Sequence, residues 1–282
     1  MPDPHQLLHL PITFASSDGV AVHAPMVRAT VGSMEMLFVL DTGSEVHILT
    51  RELADRVGLP LSEGEDGTDH AGATMPSWSA GTVEMEAAGV ALPLADVVVI
   101  PAPAPFPGWG VGGILSPQHL RTDAAAVIDL VDDELLLVAG AAGTFDAWLV
   151  QRHPELTLLR LARDGRSPTP VVPAAIAPFD DTAAMLNTGG KHTEFDVTVL
   201  PKLAPAAVGR LGAGVSGAEV RGSVIGAQTL VVAGASLPVA ELALREGMIY
   251  PHALVGMDVL RGTVLTCDAD PAGAVRWQVP AR

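Results

Sequence analysis

Met36-Leu37-Phe38-Val39-Leu40 runs without a polar residue into Asp41-Thr42-Gly43-Ser44. Such an apolar run reads as a strand buried on both faces, and the Gly-containing turn that follows presents a carboxylate at the strand's end. A near copy stands in the second half, where Ala183-Ala184-Met185-Leu186 leads into Asn187-Thr188-Gly189-Gly190. The turn is repeated, with an amide in place of the acid. Two such turns imply two similar lobes, and the change from Asp41 to Asn187 bears on whether the second lobe supplies a working acid.

Other landmarks recur in the same order. After Asp41, Thr50 to Gly58 reads as a short helix with Thr50 as N-cap and Gly58 as terminator. In the second half, Val197 to Leu200 precedes Pro201-Lys202-Leu203-Ala204, and Pro201 suits a first helical turn. Gly72 to Gly81, leading into the alternating Thr82-Val83-Glu84-Met85, predicts a projecting hairpin; Gly217 to Val224 followed by Gln228 to Val232 predicts a second, shorter one. Gly113-Ile114-Leu115-Ser116-Pro117-Gln118-His119-Leu120 and Ala253-Leu254-Val255-Gly256-Met257-Asp258-Val259-Leu260 each hold an apolar pair, a small residue and a short helical start. Both halves close with strand, acidic turn and strand: Ala126 to Leu137 around Asp132-Asp133, and Thr263 to Val279 around Asp268-Ala269-Asp270-Pro271-Ala272-Gly273. A period near half the chain suits a duplicated lobe and is too long for a solenoid. Thr144 to His153 reads as a short helix ended by Pro154, and Gly165 to Pro173 as Pro- and Ser-containing connection. The expected organisation is all-β, with two pseudo-symmetric lobes facing a central cleft: an N-terminal lobe over 1–150, a linker over 151–170 and a C-terminal lobe over 171–282.

The 282 residues, 49% of them hydrophobic, supply ample apolar surface for a core. A formal charge of −16 repels phosphate backbones and anionic lipid, which disfavours nucleic acid and membrane surfaces as partners. The lone Cys267 can form neither an intramolecular disulfide nor a Cys-rich zinc site, and reads as a passive core thiol in a reducing compartment. Met1 to Leu10 lacks a cationic start followed by a long apolar stretch, so a cytoplasmic location is expected. Apolar stretches such as Val97 to Leu115 are broken by Pro101, Pro103, Pro105 and Pro107, so none reads as a membrane span.

Phe38-Val39-Leu40-Asp41-Thr42-Gly43-Ser44, together with Leu254-Val255-Gly256-Met257-Asp258-Val259-Leu260, resembles the aspartic proteases, especially their compact retropepsin-like branch. With both lobes in one chain, the sequence looks like a short, disulfide-free version of the pepsin-like members. In that family two Asp carboxylates share a proton and hold a water; one takes a proton from the water while the other donates to the scissile carbonyl. The resemblance makes Asp41 the first of the pair and Asn187 the occupant of the second position. It implies that Thr42 and Thr188 lock the turns to the opposite lobe, that Gly43 and Gly189 permit the tight turns, and that Ser44 hydrogen-bonds Asp41. Gly190 stands where that hydroxyl belongs in the second lobe. Glu45 and Lys191 occupy equivalent places beyond the turns, either pairing or orienting the ends of a substrate, or standing as two solvated charges. Trp78 falls in the first flap, either covering a bound peptide or packing on its own lobe. No metal or cofactor is implied.

Asn187 is the departure from the family pattern. An amide donates a hydrogen bond but releases no proton at ordinary pH, so the shared-proton mechanism should fail or be severely slowed. Without like-charge repulsion, Asp41 should ionise more readily than the proton-bearing acid of a dyad. Asp180, Asp181 and Glu194 are assigned surface or capping roles, His47 and His192 structural ones, and Trp109 a packing role beneath its loop. Gly108 to Gly113 has spaced glycines, but Pro107 and Pro117 exclude the strand-to-helix context of a nucleotide site. The expected function is an aspartic-peptidase-like hydrolase holding an extended peptide, with activity weak or lost. The alternatives are a non-cleaving pseudo-peptidase binding a peptide or small molecule, and an enzyme using Asp41 as a lone acid or base on a non-peptide substrate. The chain is expected to be a monomer.

Overall fold

Phe38 and Leu40 on one face and Val39 on the other are buried, as a two-sided strand requires. They belong to the strand Met34–Leu40 in a computed structural model that describes residues 5–14, 16–17, 20–21, 23–69, 71–140, 142–203, 208–248, 250–268 and 274–281. That strand lies antiparallel to Met26–Val31 and parallel to Val111–Leu115, with Leu40 beside Leu115. Val111–Leu115 is in turn antiparallel to Ile48–Thr50, which runs parallel to Val90–Ile100. Parallel neighbours end at the same edge, so the Asp41 turn and the Ser116 turn emerge side by side.

The second half pairs in the same order. Thr182–Leu186 is antiparallel to Val171–Ile176 and parallel to Ala253–Val255, which is antiparallel to Glu194–Asp196; that strand runs parallel to Leu242–Arg245. Asn187 and Gly256 therefore emerge together as Asp41 and Ser116 do. A six-stranded sheet joins the halves, in the order His5–Pro11, Glu134–Ala139, Ala125–Asp129, Val264–Cys267, Val275–Pro280, Leu156–Leu161. The last strand lies within 151–170, so that connecting segment is not wholly irregular. The helix Ala142–Arg152 packs Phe145 and Leu149 onto the buried Val127, Leu136 and Val264 of this sheet. The main core is continuous across the halves, containing Phe38 and Leu40 together with Leu186, Phe195 and Trp277.

Local signals mostly act as their chemistry dictates. Thr50 Oγ1 accepts from Leu53 N at 3.3 Å to start the helix Arg51–Val57, and Gly58 ends it at φ +70°. Two expectations fail. Pro201 opens no helix: residues 201–203 form a turn, and Ala204 lies outside the described residues. Asp196 reverses the chain earlier, its Oδ1 accepting from Thr198 N at 2.9 Å and Thr198 Oγ1 at 2.6 Å. Nor do the strands over 217–232 pair with each other. Glu219–Ile225 pairs back with Gly209–Ala213, and Gln228–Val232 pairs forward with Ala235–Val239. Ala233 at φ 48° and Gly234 at φ 82° supply the two positive φ values of a tight hairpin turn, and that local closure captures Gln228–Val232. The turn residues Ala269 to Gly273 lie outside the described residues, but their flanking strands pair, Leu265 with Trp277. Among the described residues, no helix is long and apolar enough to cross a membrane.

Candidate active site

The two turns are tied to each other by a reciprocal set of buried hydrogen bonds. Thr42 Oγ1 donates to Leu186 O at 2.5 Å and accepts from Thr188 N at 3.0 Å; Thr188 Oγ1 donates to Leu40 O at 2.7 Å and accepts from Thr42 N at 3.1 Å. Thr42 and Thr188 are completely buried, so each hydroxyl satisfies a backbone group that has no water to turn to.

This clamp brings Asp41 and Asn187 against each other's turns. Asp41 Oδ1 accepts from Gly43 N at 2.8 Å, and Asn187 Oδ1 accepts from Gly189 N at 2.9 Å. Because Gly189 N–H is a donor, it fixes the amide with its oxygen on that side. A Cβ on Gly189 would lie 2.4 Å from Asp41 Oδ2, and one on Gly43 would lie 2.8 Å from Asn187 Oδ1 and 3.1 Å from Asp41 Oδ1. Only glycine leaves room at either place, and the two side-chain oxygens converge on one point beside Gly43. Burial of the Asp41 carboxyl pushes its pKa up, opposed by the N–H groups of Gly43, Gly189 and Ser44. That upward push was invisible in the sequence, where only the missing second charge could be weighed.

Ser44 does not use its hydroxyl on Asp41. Its Oγ donates to Val46 O at 2.7 Å, and its contribution to the carboxylate comes through its backbone N–H. The reason lies one strand away: Ser116 Oγ and Gln118 Nε2 both donate to Ser44 O at 2.8 Å and hold the loop in another orientation. In the second half Asp258 takes the matching position, accepting from Thr193 N at 3.0 Å and Thr193 Oγ1 at 2.7 Å. Gln118 and Asp258 brace the two turns, and their one mark in the sequence is a common place, two residues after Ser116 and Gly256. Gly190 offers Asn187 no hydroxyl.

His47 belongs to the same brace. Nearly fully buried, it accepts from Ser116 N at Nδ1 (3.3 Å) and donates from Nε2 to His119 O (3.2 Å), which requires the neutral ring. Burial lowers its pKa from 6.5 to about 4. The folded chain therefore binds fewer protons than the unfolded chain below pH 6.5, and stability falls as pH drops from about 6.5 to about 4. About 3 kcal/mol is expected from this one group. Urea unfolding at pH 7 and pH 4.5 checks it: His47→Gln should flatten the difference, and an unchanged pH slope in that variant would remove the assignment.

The remaining residues fall away from the two turns. Glu45 is exposed and accepts from Ser167 Oγ at 2.9 Å; Lys191 is exposed, and the two form no ion pair with each other. Trp78 is half-buried against the core of its own half, with the Arg51 guanidinium 4.6 Å from its ring centroid. Trp109 packs with Phe106 at 6.4 Å between ring centroids. Asp180 and Asp181 are exposed, but Glu194 corrects its surface assignment: it is buried, 3.7 Å from Arg245, because it sits on an inner strand beside Leu242–Arg245. Burial also pushes the Cys267 thiol up to about 12, in keeping with a passive core role. The Asp129, Asp132 and His153 cluster is structural: Asp129 accepts from Arg152 Nε at 2.9 Å, His153 Nε2 at 2.7 Å and the N–H groups of Val131 and Asp132.

No curated protein matches the chain. Residues 27–117, from the strand before the first motif to the start of the Ser116 turn, match the family model for aspartyl protease. An all-β fold in which such a segment presents Asp41-Thr42-Gly43 at a strand end supports a place in the aspartic protease superfamily and an aspartic-peptidase-like function.

Proposed function

We propose that the protein holds an extended peptide in a cleft between two pseudo-symmetric lobes, with Asp41 as the ionisable acid of the site and Asn187 in the second acid's position. The observation that carries this reading is the clamp of Thr42 and Thr188, which sets Asp41 against Gly189 and Asn187 against Gly43. An ionised Asp41 takes a proton from a water lying between the turns, and the carboxamide holds that water by hydrogen bonding. No second group then protonates the scissile carbonyl, so cleavage is slow or absent. What hydrolysis remains rises with pH through the ionisation of Asp41, since burial favours its neutral form.

A non-cleaving binder is the second reading, favoured by the anchoring of Asn187 Oδ1 on Gly189 N–H at 2.9 Å, which builds the amide into the turn as Gly43 N–H builds in Asp41. Incubation with a peptide library followed by mass spectrometry separates the two. Cut peptides that vanish in Asp41→Ala support slow hydrolysis; peptides retained but uncut support the binder. Neither retention nor cleavage, with no difference between wild type and Asp41→Ala, removes the site.

A further inference from the structure

A row of paired residues crosses the sheet beside each turn, and its chemistry differs between the halves. In the first half the row runs Val39, Ile114, Ile48, Val98, each residue paired with the next on the neighbouring strand. In the second half the same pairings give Met185, Leu254, Glu194, Ala243. Val39 and Met185 each precede their turn residue, Asp41 or Asn187, by two, the spacing that puts alternate side chains of an extended chain on one face. Glu194 therefore holds the place that Ile48 holds in the first half. One step along the same face, Ile100 pairs with Thr50 and Arg245 with Asp196, so Arg245 stands where the first half has Ile100.

An acid and a base thus replace two isoleucines on a buried surface. Glu194 and Arg245 are each only 8% exposed. Arg245 Nη1 lies 3.7 Å from Glu194 Oε2, beyond hydrogen-bond length, and that oxygen is buried with no hydrogen-bond partner among the described residues. A buried acceptor left in this state is costly, and a donor supplied by a ligand relieves the cost. Burial pushes the Glu194 carboxyl pKa up, and the Arg245 guanidinium opposes the rise. Arg245 also lines a groove of about 440 Å³ with Val220, Gly222 and Ala71, so open space reaches the pair. Glu194 lies two strands from Met185, roughly 10 Å away, a span that extended peptide covers in about three residues.

We propose that Glu194 and Arg245 select a carboxamide side chain, as in Gln or Asn, within about three residues of the Asn187 turn on a bound peptide. The carboxamide N–H donates to Glu194 Oε2, and its carbonyl oxygen accepts from the guanidinium. A neutral group suits the pair better than an ion does. An ammonium would be attracted by Glu194 and repelled by Arg245 at similar range, so its charge would gain little while it lost its water; a carboxylate meets the reverse of the same cancellation. The assignment rests on the reading of Asp41 and Asn187 as the centre of a peptide cleft. It goes beyond that reading by naming the side chain recognised and by making recognition one-sided, since Ile48 and Ile100 offer no such partners in the first half.

Retention of a random-peptide library on the immobilised full chain, with sequencing of the bound peptides by mass spectrometry, tests it. Peptides with Gln or Asn should be enriched about tenfold or more over those with Leu or Met, the usual advantage of a hydrogen bond to a charged group. The double variant Glu194→Ile/Arg245→Ile copies the first half and leaves no lone buried charge, so it should fold and keep its melting temperature. It should lose the carboxamide preference and retain Leu and Ile peptides instead. Glu194→Gln, which keeps the shape and removes the charge, should weaken the preference severalfold and serves if the double variant does not fold. Equal retention of Gln and Leu peptides by the wild type, a preference for Lys, Arg, Asp or Glu, or an unchanged carboxamide preference in the folded variants overturns the assignment. Peptides retained by no variant, or retained equally by Asp41→Ala at every sequence, count instead against the Asp41 and Asn187 cleft, and the assignment falls with it.

Discussion

Asn187→Asp is expected to raise peptide cleavage by about 10²- to 10⁴-fold, the usual contribution of a positioned proton-transfer group. The turn is already built for a carboxylate. Asn187 Oδ1 accepts the Gly189 N–H at 2.9 Å just as Asp41 Oδ1 accepts the Gly43 N–H at 2.8 Å, and the two side chains have the same shape. The substitution therefore adds an ionisable proton with little steric change. Two carboxyls converging on one point cannot both ionise easily, so the variant should cleave best at acid pH, where one proton is shared. The wild type should show the opposite trend. Mass-spectrometric quantification of cut peptides between pH 3 and pH 8 reads both effects, and a variant as inactive as the wild type at every pH would take position 187 out of the site. Acid conditions also carry the stability loss from His47, so the assay belongs at low temperature or short times.

Thr42→Val and Thr188→Val are each expected to destabilise the fold by about 2–4 kcal/mol. Valine keeps the shape of threonine but leaves one backbone N–H and one carbonyl of the opposite turn without a partner in a dry place; each such group costs about 1–3 kcal/mol. For a chain of this size that lowers the midpoint of thermal unfolding by roughly 5–15 °C. The two changes should not add. Thr42 Oγ1 and Thr188 Oγ1 serve reciprocal bonds across the same junction, so once one turn is released the other has less to lose. Thr42→Ser and Thr188→Ser, which keep the hydroxyls, should cost much less. Scanning calorimetry of the four single variants and the Val double variant checks the pattern; a Val variant that melts with the wild type would mean that the clamp does not hold the halves together.

The fold was legible wherever a signal was local. The run into Asp41, the Thr50 cap and Gly58 terminator, and the paired segments ending at Leu120 and Leu260 all depend on periodicity or capping within a few residues, and the strands and helices they announce are present. Errors came where two local solutions competed. Asp196 and Thr198 turned the chain before Pro201 could start a helix, and the Ala233-Gly234 turn drew Gln228–Val232 away from the neighbouring hairpin. At the site, the residue types of the two turns pointed to the convergence of Asp41 and Asn187, but Ser44, Glu194 and Trp78 took positions set by strands far away in the chain. Gln118 and Asp258 carried no motif of their own, so nothing in the sequence marked them as braces.

By itself the amino-acid order determined the strand into each turn, the capped helix Arg51–Val57, the doubled turn, and which of the two turns lacks an acid, because each of these is written in side chains within one short stretch. Tertiary structure alone decided which way the Ser44 hydroxyl points, that burial pushes the pKa of Asp41 up, and that Asp69 meets Ser216 across 147 residues of chain. Those outcomes depend on desolvation and on hydrogen-bond partners brought together only when the two halves close on each other.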